Sequence, residues 1–262
     1  MTRVIVTANH KGGVGKTTTV ANLGAALAER GLRVLLIDLD PQGGLTASFG
    51  IDPYTVNRSA YSLLVSDRYS LPRALQTLGE NLAMVPASID LASGEVQLAR
   101  AERRAYRLRD ALERSRVPFD FILIDTPPSI GVLTANGLCA AREVLIPVQC
   151  TYLAMRGVRA VIEVIERMQR TLNPDLALLG IIATMFRPES PHAREVVDEL
   201  RAVFDDKLFK TLINDSEVYA EAPIANQPVL SYYPDHPAAD AYRALAEEIV
   251  NGRTGAAAVV GA

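Results

Sequence analysis

The chain has 262 residues, of which 49% are hydrophobic and 22% charged, and its formal net charge is −3. This length fits one large α/β domain or two small ones, and the apolar fraction is sufficient for a sizeable core. The small negative charge excludes a polycationic protein, such as one that binds nucleic acid through its overall charge. No apolar run is long enough to predict a membrane-spanning helix. The only two cysteines, Cys139 and Cys150, are isolated. We therefore expect both to be buried and the protein to be cytoplasmic.

The predicted elements alternate between apolar runs and segments of helical period. The predicted strands cover residues 3–8, 33–38, 82–86, 119–125, 143–148, 178–184 and 208–211. The predicted helices cover residues 16–30, 93–115, 130–141, 155–172, 191–204 and 238–250. This alternation predicts a three-layer α/β/α fold with a mainly parallel twisted sheet. We expect residues 1–250 to form a single domain and residues 251–262 to be a disordered tail.

The turn between the first strand and the first helix carries the sequence from His10 to Thr18, His-Lys-Gly-Gly-Val-Gly-Lys-Thr-Thr. Glycines there let backbone N–H groups close around phosphate oxygens, and the helix start directs its positive end toward them. Lys16 is placed to reach the outer phosphates, and the Thr17 hydroxyl is placed to ligate Mg²⁺. His10 stands where the general phosphate-loop pattern has glycine, and Lys11 adds a second lysine to the loop.

Two predicted strands end in carboxylates. Asp38 and Asp40 close one of them, and Asp125 closes another. An acid at the end of a buried strand is costly unless it meets a cation or a hydrogen-bond donor. We therefore predict that Asp125 holds Mg²⁺ directly or through water, while Asp38 and Asp40 either serve the same site or form an Asx-turn before Pro41. No guanine-reading Asn-Lys-x-Asp motif is present, which favours ATP over GTP.

Five motifs together resemble the ParA branch of the deviant P-loop ATPases, which act in chromosome and plasmid partition. They are Lys11-Gly-Gly-Val-Gly-Lys-Thr-Thr18, Ile37-Asp-Leu-Asp-Pro-Gln-Gly43, Ile124-Asp-Thr-Pro-Pro128, Ile146-Pro-Val-Gln-Cys150 and Glu221-Ala-Pro223. The resemblance covers about residues 3–250. It implies a P-loop ATPase domain that hydrolyses ATP slowly, with Mg²⁺, under stimulation by a partner.

The resemblance also implies roles for the loop residues. Lys11 would reach across a nucleotide-sandwiched homodimer to the partner's phosphates, as an arginine finger does. Lys16 would bind the β- and γ-phosphates, Thr17 the Mg²⁺, and Thr18 the α-phosphate. The rest of the implied phosphate cradle consists of Gly12, Gly13, Val14 and Gly15.

Among the acids, the resemblance gives Asp40 the task of activating or orienting the attacking water. Asp38 would support Mg²⁺ without touching it, and Asp125 would be the acid of the second strand. Asn214 and Ser216 would border the adenine. ATP would then be both the substrate and the element that holds the dimer together, and hydrolysis would release the dimer.

The family's ATP-bound dimer grips DNA without sequence preference and is stimulated by a ParB-like adaptor. Two arginines expected near the adenine loop are absent here, with Asp215 and Val218 in their places. Carboxylates there would repel phosphates, which weighs against DNA binding and a nucleoid location. The predicted helix over residues 93–115 offers a replacement, because one of its faces would carry a stripe of arginines. These are Arg100, Arg103, Arg104, Arg107 and Arg114.

A further basic area is expected at Arg201, Lys207 and Lys210. Several alternatives remain open from the sequence. One is a ParA-like ATPase that positions a cargo other than DNA. Another is a MinD-like membrane switch, although the final residues have no charged face, so we expect no membrane partner. The others are a cluster-bearing reductase, for which two cysteines are too few, and a small-molecule ligase.

Overall fold

The computed structural model describes residues 2–66, 69–115 and 117–252. Within them a seven-stranded sheet has the order β3-β4-β2-β5-β1-β6-β7. The strands are β1 (Arg3–Thr7), β2 (Val34–Asp38), β3 (Gln76–Thr77), β4 (Leu82–Val85), β5 (Phe121–Asp125), β6 (Glu143–Gln149) and β7 (Ala177–Thr184). All neighbours are parallel except β3 and β4, which pair antiparallel.

Helices cover both faces of the sheet. They are α1 (Lys16–Glu29), α2 (Gly44–Ala47), α3 (Ala60–Val65), α4 (Leu71–Ala74), α5 (Asp90–Leu98), α6 (Arg107–Arg114), α7 (Val132–Ala140), α8 (Ala154–Thr171), α9 (Pro191–Phe204), α10 (Val218–Ile224), α11 (Val229–Tyr232) and α12 (Pro237–Val250). None of the helices in the described part of the chain is long and apolar enough to cross a membrane.

The core is divided by the sheet into two layers. Successive side chains of a strand point to opposite faces. Leu35 and Ile37 of β2 therefore join one buried cluster, while Val34 and Leu36 join the other. The second cluster packs α1, α11 and α12 on its side, and the first packs the remaining larger helices. The predicted three-layer α/β/α arrangement is confirmed. Of the predicted tail, residues 253–262 lie outside the described residues.

The strand predicted over residues 208–211 is wrong. Leu208 forms only an isolated bridge with Ile181. The Phe209 N–H still donates to the Ile181 carbonyl at 2.9 Å, but the ladder does not continue, because Lys210 and Thr211 both donate their N–H groups to the carboxylate of Glu248 on α12. The segment therefore covers the outer edge of β7 without becoming an eighth strand.

The single helix predicted over residues 93–115 is also wrong. α5 ends at Leu98 and α6 begins at Arg107. Between them Arg103 has a φ of 52°, in the left-handed region that a right-handed helix cannot contain. The buried side chain of Asn136 on α7 satisfies the backbone at the break, since it donates to the Arg104 carbonyl and accepts from the Leu108 N–H.

The break removes the predicted arginine stripe. Arg100, Arg103 and Arg104 lie in the connecting segment, so they do not share a helix face with Arg107 and Arg114 of α6. Arg103 forms an ion pair with Asp110 at 2.8 Å, and Arg104 donates to the Ala99 carbonyl at 2.7 Å. Arg103 and Arg104 therefore stabilise the turn, and the single helix face predicted for the stripe does not exist among the described residues.

Candidate nucleotide-binding site

The glycine-rich loop joins the central strand β1 to α1, at the carboxyl edge of the sheet. Gly13 and Gly15 have φ values of 71° and 84°, a conformation that L side chains rarely adopt. Gly15 is the N-cap of α1, a helix of 14 residues. A Cβ placed on Gly12 or Gly13 would meet no atom within 4 Å. The loop is therefore an open cradle at a helix N-terminus, which fits a group of phosphate size and charge.

The glycine-rich loop is hydrogen-bonded to two other strands of the sheet, β6 and β7. The buried Asn9 side chain accepts from the Lys11 N–H at 3.1 Å and donates to the Pro147 carbonyl of β6 at 2.8 Å. Thr184, at the end of β7, donates its hydroxyl to the Val14 carbonyl at 3.0 Å. These contacts brace the cradle against the sheet. The residues from the neighbouring strands were not identified from the sequence, because nothing local marks a hydrogen bond to a distant loop.

The two lysines of the loop lie in different surroundings. The Lys16 side chain is buried, and its Nζ donates to the Lys11 carbonyl at 3.4 Å. Burial lowers the pKa of Lys16, while Asp125 and Asp40 act in the opposite direction. Lys11 is exposed, and its Nζ donates to Oε1 of Gln149, the last residue of β6, at 3.0 Å. Lys16 is therefore enclosed by the loop, whereas Lys11 lies at its rim.

Asp38 and Asp125 are direct partners in the register of β2 and β5, and both are fully buried. Oδ2 of Asp125 accepts the Thr17 hydroxyl at 2.7 Å, and Oδ1 accepts the Thr126 N–H at 3.1 Å. Burial raises the pKa of both carboxyl groups, and the repulsion between them adds to the effect at Asp125. A cation beside them would relieve both effects, so this pair fits a site for Mg²⁺.

The two acids at the end of β2 shape the turn that follows. Oδ1 of Asp38 accepts the Asp40 N–H at 3.0 Å, and Oδ1 of Asp40 accepts the Gln42 N–H at 2.9 Å. Both are Asx-turns, as the alternative interpretation of these aspartates predicts, and a role of Asp38 and Asp40 in the site stays a prediction. The other oxygen of Asp38 accepts both the N–H and the hydroxyl of Thr46. Asp38 thereby accepts three hydrogen bonds, whereas Asp40 is half-buried and acts electrostatically on Lys16.

A metal ion at this site would need ligands beyond the protein. Within the described residues, no group of three or more His, Cys, Asp and Glu side chains could hold a metal ion. Thr17 and Asp125 would therefore hold Mg²⁺ together with phosphate oxygens and water, which is the coordination that Mg²⁺ prefers. Thr18 follows Thr17 on the first turn of α1, and its carbonyl accepts from the Asn22 side chain at 2.8 Å.

The predicted adenine loop lies at the end of β7. Asn214 forms an isolated bridge with Phe186, and the Asp215 N–H donates to the Phe186 carbonyl at 2.9 Å. Asn214 is exposed and Ser216 is half-buried. The side chain of Asp215 forms an ion pair with Arg187 at 2.6 Å. The carboxylate found in place of an expected arginine therefore neutralises a neighbouring arginine as well.

Comparison with known proteins places this geometry in a family. The AAA_31 family, described as an AAA domain, matches residues 2–178. The chain is 41% identical over 251 residues to the chromosome partitioning protein ParA of Caulobacter vibrioides, covering 95% of this chain and 94% of that one. It is 40% identical over 250 residues to the chromosome-partitioning ATPase Soj of Treponema pallidum, covering 95% and 98%. The chain belongs to the Soj/ParA family of partition ATPases.

A solved structure adds the ligand state of one relative. It is named cobyrinic acid a,c-diamide synthase from Mycobacterium smegmatis, with bound ATP analog and magnesium. Its sequence is 40% identical, its TM-score is 0.84, and the alignment covers 96% of this ParA-family chain and 95% of that chain. The fold and the phosphate loop predicted from the sequence thus agree with a relative in which nucleotide and magnesium are present.

Proposed function

We propose that this ParA-family ATPase is a switch that dimerises with ATP and acts in the partition of a chromosome or plasmid. The observation that carries the proposal is the difference in exposure between the two lysine side chains of the glycine-rich loop. Lys16 is buried against the acids of its own subunit, while the ammonium group of Lys11 is exposed at the rim. An exposed lysine beside a phosphate cradle is available to a nucleotide held by a second subunit, which supports a homodimer with ATP between its subunits.

The residues present suggest how ATP would be held and cleaved. The cradle of Gly12 to Gly15 and the ammonium group of Lys16 would bind the phosphates, and Thr17 and Asp125 would hold Mg²⁺. The ion would neutralise charge on the β- and γ-phosphate oxygens. Asp40 would orient the attacking water, because it is half-buried near Lys16 and keeps one carboxylate oxygen outside its Asx-turn. Stimulation by a ParB-like adaptor would then set the lifetime of the dimer.

The test separates turnover from association. In Asp40→Ala, we expect ATP to produce a dimer by light scattering while phosphate release falls at least about 100-fold. Asp52→Ala is the matched control, because Asp52 forms the same kind of Asx-turn with the Tyr54 N–H at 2.9 Å, outside the site. Lys16→Ala should abolish nucleotide binding, so it gives the baseline for both dimer formation and phosphate release. Normal hydrolysis by Asp40→Ala would refute the assignment of Asp40.

Lys11→Ala tests the contribution between subunits. We expect monomer affinity for ATP, measured by calorimetry, to change less than about 3-fold, whereas dimer formation or turnover falls at least about 10-fold. Lys207→Ala removes another exposed lysine, one that lies 3.7 Å from Asp206 on a different surface, and should change none of these quantities. Equal turnover by Lys11→Ala and wild type would remove the role of Lys11 across the interface.

For DNA, we expect only weak, salt-sensitive association of the ATP-bound dimer with any duplex. Arg187 is neutralised by Asp215, and Arg103 by Asp110. In the second basic area, Arg201 lies 3.8 Å from Asp198 and Lys207 lies close to Asp206. Mixing the Asp40→Ala dimer with duplex DNA at low salt measures the affinity. Sub-micromolar binding at physiological salt would contradict this part of the proposal, whereas no binding at all would favour a cargo other than DNA.

A second candidate function is ATP-dependent amidation, because the name of the M. smegmatis relative states that activity. ATP would activate an acceptor carboxylate, and ammonia would displace the phosphate. Release of ammonia from glutamine needs a thiolate nucleophile. Cys139 and Cys150 are buried, and burial raises the pKa of each thiol to about 11, so neither is a thiolate at neutral pH. Incubation with ATP, cobyrinic acid and ammonium, followed by mass spectrometry, would reveal an amide if this activity were present.

A further inference from the structure

Thr46 is a fully buried polar residue that connects the turn after β2 to the strand beyond it. It lies on α2, and its N–H and its hydroxyl both donate to Oδ2 of Asp38, at 2.9 and 2.7 Å. Its hydroxyl oxygen also accepts the N–H of Ala87 at 2.8 Å. One hydroxyl therefore joins the carboxylate at the end of β2 to the backbone that follows β4.

The backbone reached by Thr46 is the junction between β4 and α5. Ala87 and Ser88 are buried there. The Ser88 hydroxyl accepts from Ser59 at 3.0 Å, and the Pro86 carbonyl accepts from the Ala60 N–H at 2.8 Å, so α3 is tied to the same junction. Within the described contacts, the Ala87 N–H has Thr46 as its partner. Loss of the hydroxyl would leave a buried donor unsatisfied.

Asp38 in turn fixes the position of Asp40, because the Asp40 N–H donates to Oδ1 of Asp38 at 3.0 Å. The carboxylate thus has one oxygen on the Asp40 turn and the other on Thr46. With one donor fewer, the buried carboxylate of Asp38 would be held less firmly in its rotamer. A change of that rotamer would release the Asp40 turn from its present position.

We propose that Thr46 is a positioning residue for ATP hydrolysis, which acts through Asp38 on the Asp40 turn and anchors that turn to the β4–α5 junction. This inference rests on the proposed function, since it concerns the step assigned to Asp40. It also makes a structural claim that does not depend on catalysis, namely that the Thr46 hydroxyl protects the Ala87 amide. The fold of the loop around Gly12 to Gly15 does not involve Thr46, so the nucleotide affinity of the monomer is expected to remain.

The test uses three variants of the full chain. Thr46→Val keeps the shape and removes the hydroxyl, and we expect kcat for ATP to fall about 10- to 100-fold while the Kd of the monomer for ATP changes less than about 3-fold. Thr46→Ser retains the hydroxyl and should restore kcat to within about 3-fold of wild type. Thr46→Cys carries a weak S–H donor, so its kcat should lie between those of Thr46→Val and Thr46→Ser. It replaces Thr46→Val in the test if that variant does not fold.

Thr211 provides a matched control. Its N–H and hydroxyl both donate to Oε1 of Glu248, as those of Thr46 do to Oδ2 of Asp38, but beside the border strand β7 and away from the Asp40 turn. Thr211→Val should leave kcat and Kd unchanged. A wild-type kcat in both Thr46→Val and Thr46→Cys, a loss of kcat in Thr46→Ser equal to that in Thr46→Val, or a parallel loss in Thr211→Val would overturn the inference.

Hydrogen exchange separates this inference from the proposed function. In the protein without nucleotide, the Ala87 amide should exchange at least about 10-fold faster in Thr46→Val, or in Thr46→Cys, than in wild type and Thr46→Ser. If the wild-type protein hydrolysed no ATP, the proposed function would fail while this result would still stand. If exchange at Ala87 did not change, the connection itself would be refuted, whatever the activity.

Discussion

Lys11 and Lys16 belong to one loop, yet the structure gives them opposite environments. Lys16 could be assigned from the sequence, because the residue before a phosphate-loop threonine points into the cradle. The exposure of Lys11 and its hydrogen bond to Gln149 could not, since they depend on where β6 ends. The same is true of Asn9, Thr46 and Thr184, whose partners are distant in sequence.

The ion pair between Arg33 and Asp120 permits a prediction about pH. Asp120 accepts the Arg33 guanidinium at 2.9 Å and the Arg33 N–H at 2.8 Å, which lowers the pKa of Asp120 to about 2. A folded-state pKa below the unfolded value means that the contribution to stability is complete above about pH 4 and is lost as the pH falls toward 2. Asp120→Asn should therefore be less stable than wild type at pH 7, with a difference that shrinks below pH 4.

Urea unfolding of both proteins at pH 7, 5 and 3 measures this difference. Asp235→Asn removes another surface acid, for which no ion pair occurs among the described contacts, and should show no such trend. A difference between wild type and Asp120→Asn that stayed constant down to pH 3 would show that Asp120 contributes in some way other than through its charge.

At the scale of the element, α1 packs on β2 through a glycine. A Cβ on Gly24 would lie 2.5 Å from Cδ2 of Leu36, whose side chain is fully buried and has little room to move. Gly24→Ala should destabilise the protein by up to about 2 kcal/mol, because overpacking of about 1–3 kcal/mol outweighs the gain of about 1 kcal/mol in helix propensity. Thermal or urea unfolding measures the change.

Gly157 on α8 is the matched control for that substitution. A Cβ there would meet only Cε1 of His10, at 4.0 Å. Gly157→Ala should therefore stabilise the protein by up to about 1 kcal/mol, through helix propensity alone. If both substitutions changed the free energy of unfolding in the same direction, the close contact with Leu36 would not be the cause.

Apolar periodicity predicts most of the longer elements to within about two residues, and α9 has the bounds predicted for it. It does not predict the short elements β3, α2, α3, α4, α10 and α11. The failures at α5, α6 and residues 208–211 have a common reason. In each case, a side chain from another element forms hydrogen bonds with the backbone of the segment. The predicted helix or strand would have used those backbone groups for its own hydrogen bonds. Asn136 does this between α5 and α6, and Glu248 does it beside β7. Periodicity reports which residues are buried, and it does not report such long-range partners.

For the whole molecule, the net charge of −3 conceals how the cations are used. In the described part of the chain, arginines pair repeatedly with nearby acids, and Arg187 with Asp215 is the pair closest to the proposed adenine loop. Long-range attraction of DNA requires unpaired positive charge on one surface. The number of arginines alone therefore does not indicate nucleic-acid binding.

Asp215→Asn tests this account of the charge. In the Asp40→Ala background with ATP, the substitution should free Arg187 and strengthen binding to duplex DNA. If Arg187 then contacts one phosphate, the slope of log K against log salt should steepen by about 0.9 per subunit. Asp198→Asn, which relieves the looser pair with Arg201 at 3.8 Å, should have a smaller effect. Equal affinities of the Asp215→Asn protein and its parent would show that Asp215 does not limit DNA binding.

Both borders of the sheet are closed to further strands. β3 is only two residues long, and the outer side of β7 is covered by the chain around Leu208 and Asn214. An exposed border strand can pair with a strand of another chain, whereas a very short or covered border strand does not. If the proposed function holds, copies of the protein gathered on a cargo would not readily grow into β-linked fibres. Reversible self-association would then be confined to the face that carries the glycine-rich loop, where a small ligand would control it.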